Sequence, residues 1–268
     1  MARHSEGQQR LALLIDADNA PPAVIDGLLA EAARFGSTSV KRIYGDWTSP
    51  RLNQWKRQLL KQSIQPVQKF AYTSGKNATD SALIIDAMDL LYTRRFDGFC
   101  LVSSDSDFTR LAQRIREEGL TVYGFGEKKT PEPFVAACDK FIYTELLRME
   151  PEPAAASTPE IIVPVTTPEP APKLPQMDAV ALISRAIDEV DDEDGWANLA
   201  PVGAYVSKLR PDFDARLFGH SKLSSLVRSL GKHFETKEVT TPGTSTKVLY
   251  VRRLVKSTPA APAKPKAK

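Results

Sequence analysis

LALLIDADNAPP, Leu11 to Pro22, passes in one step from an unbroken apolar run, Leu11 to Ile15, to a carboxylate at Asp16. Consecutive apolar residues suit a parallel strand covered on both faces, because a half-exposed strand would alternate in polarity. The residues after it open a helix. Asn19 or Asp18 is the expected cap, Pro21 and Pro22 fit a first turn that needs no N–H donors, and Gly36 closes the helix. The same alternation continues outward. Val40 to Tyr44 reads as a second strand, and a helix from about Leu52 to Gln62 follows. Ile64 to Phe70 reads as a third strand, near a sheet edge because Pro66 has no donor. YTSGKNATDSALIIDAMDLLYTR is a polar loop opening a long helix. Phe99 to Val102 is a fourth strand, followed by SSDSDF and a helix to Gly119. Leu120 to Phe125 is a fifth. Strand-helix alternation predicts an α/β fold, a parallel sheet with helices on both faces and right-handed crossovers.

The 268 residues allow one large domain or two small ones, and proline placement decides for two. Eight of the 20 prolines lie between Pro151 and Pro175. That stretch predicts an extended Pro-rich linker over 150–174 between ordered blocks 9–149 and 175–254. STPAAPAKPKAK, at the end, predicts a disordered basic tail over 255–268. Two cysteines and three scattered histidines exclude a disulfide framework and a Cys- or His-based zinc site. No apolar run is long enough for a membrane span or a signal-peptide core. A soluble protein of a reducing compartment, the cytoplasm, is expected. The net charge of +3 argues neither for nor against nucleic acid, so local patches must do so.

In a parallel sheet, strand C-termini and the N-termini of the following helices share one edge, where ligands bind at the reversal of strand order. Asp16 ends the first strand, and Asp105 and Asp107 follow the fourth. Asp80 opens the long helix and heads its apolar stripe through Ile84, Ala87 and Leu91. Asp86 lies about 240° around that helix from Asp80, off the stripe, with Asp89 on its flank. Taken singly, each Asp is also an ordinary cap or strand end. Four carboxylates on one edge repel unless a cation neutralises them, and an oxygen-only donor set favours Mg2+ or Mn2+ over zinc. Such ions suit phosphate-ester chemistry. A cationic path leads toward this edge. Lys41, Arg42, Arg51, Lys56, Arg57 and Lys61 face one acid, Asp46, with Trp47 and Trp55 among them as stacking candidates, Trp55 fitting a core anchor equally well. Lys69 and Lys76 flank the loop before Asp80.

LLIDADNAP, KNATDSALIIDAMDLL and LVSSDSDFTRL, in this order, resemble the NYN domain, a branch of the PIN-like nuclease superfamily, over about residues 9–147. The resemblance implies a PIN-like fold and Mg2+-dependent RNA cleavage. It assigns the site to Asp16, Asn19, Asp80, Asp105 and Asp107, with the four aspartates as metal ligands. Asp86 also matches a recurrent family aspartate and stands as a secondary site. Family members more often carry glycine at the position of Ser104. The implied chemistry is in-line attack by a metal-activated water, with Asn19 bonding a carboxylate or a metal-bound water. Lys41, Arg51, Lys56, Arg57 and Lys76 are the RNA-contact candidates of this block.

The second block reads as three helices and a hairpin, a winged helix. Met177 to Val190 is amphipathic through Val180, Ile183, Ile187 and Val190. Leu199 to Leu209 is the second helix. Ser221 caps the third, SKLSSLVRSLGK, which buries Leu223, Leu226, Val227 and Leu230. Val239 and Val248 to Val251 form a two-stranded wing. DEVDDED, Asp188 to Asp194, concentrates acid, leaves the rest of the block basic, and is expected to face away from RNA. AIDEVDDEDGWANLAPVGAYVSKLRPDFDARLFGHSKLSSLVRSLGKHFE resembles the LOTUS domain, also called OST-HTH, over about 176–253. That implies RNA binding, in some members of G-rich or G-quadruplex RNA. Arg216, His220, Lys222, Arg228 and Lys232 are its contact candidates, with Arg252 and Arg253. His220 and Trp196 also fit plain packing roles.

The leading expectation is a metal-dependent ribonuclease, an endonuclease, with an appended RNA-binding module. A catalytically silent RNA-binding adaptor is the alternative, although no matched carboxylate is missing. A haloacid-dehalogenase-type phosphatase would require a hydroxyl residue where this chain has Ala20. An adhesion-type metal site at Asp105-Ser106-Asp107 fits the Asp16 motif poorly.

Overall fold

The structure, a computed structural model, describes residues 8–68, 78–148, 176–192, 194–240 and 247–254, except the side chains of 78–80 and 176–178. The expected linker and tail, together with Lys69 and Lys76, lie outside the described residues. The chain divides into two compact units. No described helix is long and apolar enough to cross a membrane.

The N-terminal unit is a six-stranded sheet. Its strands are β1 (Gln9–Asp16), β2 (Gly36–Gly45), β3 (Gln65–Gln68), β4 (Gly98–Val102), β5 (Thr121–Gly126) and β6 (Lys140–Tyr143). The order is β3-β2-β1-β4-β5-β6 and every pairing is parallel. Order reverses between β1 and β4, so the ligand-binding crevice of this fold opens there. β3 is an edge strand, as Pro66 requires; the expected strand's last residues, 69 and 70, lie outside the described residues.

Alternation along β1 divides the core. Leu11, Leu13 and Ile15 pack under α1 (Ile25–Phe35) and α2 (Asn53–Gln62). Ala12 and Leu14 pack under α3 (Ala78–Tyr92), α4 (Thr109–Glu117) and α5 (Glu132–Ala137). Burial on both sides explains why β1 has no polar alternation. On α3 the buried stripe runs through Leu83, Ala87 and Leu91, with Ile84 only partly buried. Asp80 stands on that same face, because residues three, seven and eleven apart return to one side of a helix.

Gly36 ends α1 and begins β2 without a loop. It sits opposite Gln9, and a Cβ there would run into the Gln9 carbonyl. Gly36→Ala therefore separates the β1–β2 pair at its start and is expected to cost roughly 1–3 kcal/mol, the range for overpacking a close-packed interior. A urea midpoint equal to that of the wild type would show that the backbones yield freely.

The C-terminal unit holds α6 (Gln176–Val190), α7 (Leu199–Leu209) and α8 (Leu223–Ser229). A three-stranded antiparallel sheet, β7 (Ala197–Asn198), β8 (Phe234–Thr240) and β9 (Lys247–Arg253), completes it in the order β7-β9-β8. The expected two-stranded wing thus gains a strand from the residues after Trp196. Ile183, Ile187, Val206, Leu226, Val227, Phe234 and Val251 form its core. Lys222, not Ser221, is the N-cap of α8, and it makes no side-chain capping bond.

Candidate functional site

Asp16 ends β1 at the crevice and is 1% exposed. Its partners are all neutral donors. Asn19 Nδ2 donates to Oδ2 at 2.7 Å, Ser103 Oγ donates to Oδ2 at 3.0 Å, and the Asp18 N–H donates to Oδ1 at 3.1 Å. Asn19 is therefore not the helix cap the sequence suggested. A 3-10 turn, Pro22–Val24, begins after Pro21 with no side-chain cap, and the Asn19 amide turns back to the carboxylate instead. Burial pushes the Asp16 pKa above its ordinary 3.8, while the bonds from Asn19, Ser103 and Asp18 pull it down.

The raised proton affinity fixes the sign of a pH effect. Folding favours protonated Asp16, so its contribution to stability is greatest below pH 3.8 and is lost as pH rises through the higher folded value. In chelator, wild-type stability is expected to fall through that window relative to Asp16→Asn, in which the other carboxylates still titrate and cancel. Thermal midpoints of both proteins across pH check this; a constant difference would mean that Asp16 is not desolvated.

β4 supplies the other half of the crevice. Ile15 pairs with Val102, which brings Ser103 beside Asp16. The Ser103 hydroxyl gives its proton to Asp16 and accepts the Asp105 N–H at 3.1 Å. Asp105 in turn caps the 3-10 turn Ser106–Phe108, its Oδ1 accepting the Asp107 N–H at 3.0 Å. One chain of hydrogen bonds thus joins Asn19, Asp16, Ser103, Asp105 and Asp107. Ser103 was not among the sequence candidates; a small hydroxyl residue directly after an apolar strand was the available signal. Ser104, where the family more often has glycine, accepts the Glu127 N–H at 2.8 Å and so ties the β4 loop to the β5 loop.

The carboxylates are unequally placed. Asp16 is buried, Asp105 half-buried and Asp107 exposed. Asp80 lies in the first turn of α3, and its side chain is outside the described residues. Among the described residues no three acidic, His or Cys side chains form a group that could hold a metal ion. Asp86 is half-buried and engaged. Its Oδ2 accepts from Arg42 at 2.9 Å and from the Tyr44 hydroxyl at 2.8 Å. Tyr44 is the register partner of Asp16 on β2, so Asp86 faces the same side of the sheet as Asp16 rather than solvent. Desolvation, then the Asp86 bond, push the Tyr44 hydroxyl pKa far up and keep it a donor.

The cation candidates also separate. Lys41 donates to the Gln62 carbonyl at the end of α2, and Arg42 is held by Asp86. Arg51, Lys56 and Arg57 are exposed. Trp55 is a core residue at 2% exposure, not a stacking platform, and Trp47 is fixed to β3 through its Nε1 bond to the Val67 carbonyl at 3.0 Å. In the C-terminal unit, Arg216 grips Asp214, Arg228 pairs with Glu238, Arg252 with Glu235, and Arg253 with Asp188. His220 Nε2 stands 3.0 Å from Ser229 Oγ. Because the Ser229 hydroxyl donates to the Leu226 carbonyl, the ring nitrogen is the donor of that pair. Trp196 lies under Lys237 Nζ at 4.0 Å and Arg252 Cζ at 4.6 Å, a cation-π packing against the sheet. Asp192 accepts the Trp196 N–H at 2.8 Å, so part of the acidic run shapes a turn. Lys222 and Lys232 are exposed and have no ion-pair partner among the described residues.

A parallel α/β unit with a buried carboxylate at its switch point, followed by a small helical unit with an antiparallel sheet, defines a PIN-like domain joined to a winged-helix-type domain. The NYN domain matches residues 10–147 and the OST-HTH/LOTUS domain residues 171–246. The chain belongs to the NYN family and carries a LOTUS domain after its NYN domain. These families place it among RNA-related nucleases and RNA binders. The LOTUS match stops at 246, although β9 carries the sheet on to Arg253. Three solved structures are similar. A Vibrio parahaemolyticus protein of unknown function is 19% identical over 52% of this chain and 94% of its own, with a TM-score of 0.44. An uncharacterised Nitrosomonas europaea protein is 33% identical over 40% of this chain and 94% of its own, with a TM-score of 0.27. A Chromobacterium violaceum protein covering residues 175–257 is 32% identical over 28% of this chain and 78% of its own, with a TM-score of 0.24. No curated protein matches the chain.

Proposed function

We propose that this protein is a metal-dependent ribonuclease, acting as an endonuclease, whose LOTUS domain captures RNA, including G-rich or G-quadruplex RNA. The observation that carries the reading is the hydrogen-bonded edge from Asp16 through Ser103 to Asp105, at the β1–β4 crevice of an NYN domain. The donor set fits a hard divalent ion. Asp16 is a desolvated carboxylate with only neutral partners, and every candidate ligand is oxygen. Asp16, Asp80, Asp105 and Asp107 are the residues that would hold Mg2+ or Mn2+, which would lower the pKa of water enough to make hydroxide available as the nucleophile and would stabilise charge on the leaving oxygen. Asn19 and Ser103 fix the Asp16 carboxylate by occupying Oδ2. Oδ1 receives a single backbone N–H and so keeps acceptor capacity. Cytoplasmic location belongs to the same proposal.

The test is cleavage of a mixed RNA pool by the purified chain, with Mg2+ and with chelator, followed by end mapping. Metal-dependent internal cuts that vanish in Asp16→Ala are expected. RNA retained without any cut would favour the silent adaptor.

A further inference from the structure

The four central strands end in a row, β2, β1, β4, β5, with Asp16 on the second and the Asp105 loop on the third. The connections directly after β1 and β4 hold no cation before the next helix, whereas those after β2 and β5 do. Both cationic turns are fastened to the crevice. After β2, Leu52 packs so closely that a Cβ on Gly45 would meet its Cδ1 at 2.6 Å and the Ala17 Cβ at 3.0 Å. That sets the Arg51 turn against the residue next to Asp16. After β5, the Glu127 N–H bonds Ser104 Oγ at 2.8 Å, setting the Lys128 turn against the residue next to Asp105. The β5 turn is further closed by Thr130, whose Oγ1 bonds the Glu127 carbonyl, and by the Lys128 N–H, which bonds Glu145 Oε1 at 3.0 Å.

The other cations of β2, β5 and these two turns are engaged, and these two are not. Lys129 is paired with Glu127 at 2.6 Å, Arg42 with Asp86, and Lys41 with a helix-end carbonyl. Arg51 and Lys128 are exposed, and neither has an ion-pair partner among the described residues. Three strand spacings separate their strands, about 14 Å, with the carboxylates between. A backbone of regularly spaced phosphates matches two fixed cations flanking an anionic centre. An acidic peptide would instead bring its own carboxylates onto Asp16 and Asp105.

Resting on the RNA reading above, we propose that Lys128, in the turn after β5, is a phosphate-binding residue that works with Arg51. Single-stranded RNA then crosses the C-terminal edge of the sheet, perpendicular to the strands, with the phosphates flanking the scissile bond held by these two side chains. Rigid turns lower the ordering cost of that clamp.

Site-directed photocrosslinking tests the path. Native Cys100 and Cys138 are 0% and 1% exposed, so an aryl azide reagent labels only an introduced cysteine. Arg51→Cys and Lys128→Cys place the label on either side of the crevice. Tyr92→Cys, 63% exposed at the far end of α3, is the control. The probe is a short 5′-labelled single-stranded RNA, held in chelator to prevent turnover. Both crevice positions are expected to crosslink about tenfold more than position 92, in line with electrostatic focusing of substrate. Their crosslinks should map about two to four nucleotides apart, always in the same polarity. Crosslinking at 51 but not at 128, or crosslinks with no fixed offset, would overturn the path. Capture of an acidic peptide in preference to RNA at both positions would overturn it in favour of a protein partner. Fixed-offset crosslinks from a protein that never cuts RNA in Mg2+ would uphold the path and overturn the nuclease reading alone.

Discussion

Asp105→Asn lowers the single-turnover rate of RNA cleavage at saturating RNA by about 10²-fold or more, the scale of losing one charged or donor group aimed at a transition state. The substitution is clean because of what Asp105 does locally. Its Oδ1 caps the Ser106–Phe108 turn through the Asp107 N–H, and Asn is as good a cap as Asp. Its N–H reaches the Ser103 hydroxyl from the backbone and is untouched. The turn, the Ser103 relay and the Asp16 contact therefore all remain, while one negative charge leaves the edge. Urea unfolding is expected to be unchanged and the Mg2+ requirement to rise. Asp86→Asn is the informative contrast, since it strips Arg42 of its ion-pair partner and belongs to stability more than to rate. An Asp105→Asn protein that turns over like the wild type would remove Asp105 from the site.

The parts of the fold that were legible in the sequence are those where one local signal has no competitor. Leu11 to Ile15 is buried on both faces, so its apolar run survived unmixed. Pro66 marked β3 as an edge strand because a missing donor is tolerated only there. As a cap Asn19 was misread, because cap preference is the strongest local signal an Asn gives; that its amide goes to a carboxylate came from the family resemblance and not from anything local. Trp55 stayed open between core anchor and nucleic-acid platform because lysines and arginines surround it in sequence. Spacing contained the decision, since Leu52, Trp55 and Leu59 fall on one helical stripe, and all three are buried.

The candidate site divides in the same way. Asp16, Asp80 and Asp105 were legible as ends of elements, because parallel topology gathers such ends on one edge. Ser103 becomes meaningful only through the β1–β4 register, which no single segment encodes. The engagement of Asp86 with Tyr44 and Arg42 is tertiary too, and a helical wheel that sees α3 alone cannot place it against β2. That arginines of the C-terminal block are already ion-paired was hidden for the same reason. Arg228 meets Glu238, and Arg253 meets Asp188, only after the sheet has formed. A fifth strand was legible, but the turn after it, with Lys128 unpaired and Lys129 paired, was not.

Lys222→Glu combined with Lys232→Glu raises the RNA concentration for half-saturation of the full chain by about tenfold or more, the loss expected when two phosphate contacts become repulsive. These two lysines are chosen by elimination in the folded domain. Arg216, Arg228, Arg252 and Arg253 each already face a carboxylate, so RNA must displace that partner before it can use them. Lys222 and Lys232 are exposed at the two ends of the α8 segment and unpaired among the described residues, so they can exchange counterions for phosphate at no such cost. The fold should tolerate both changes, because neither side chain caps the helix or enters the core. Capture by a tethered domain raises the local concentration of RNA at the nuclease edge without adding a contact to the reacting phosphate. The shift should therefore fall on half-saturation and flatten the salt dependence of binding. Single-turnover cleavage across RNA concentration, at two ionic strengths, reads both quantities. A double variant that loses its saturated rate while keeping its half-saturation point would make the LOTUS domain part of the catalytic machinery, and the division between capture and cleavage would be wrong.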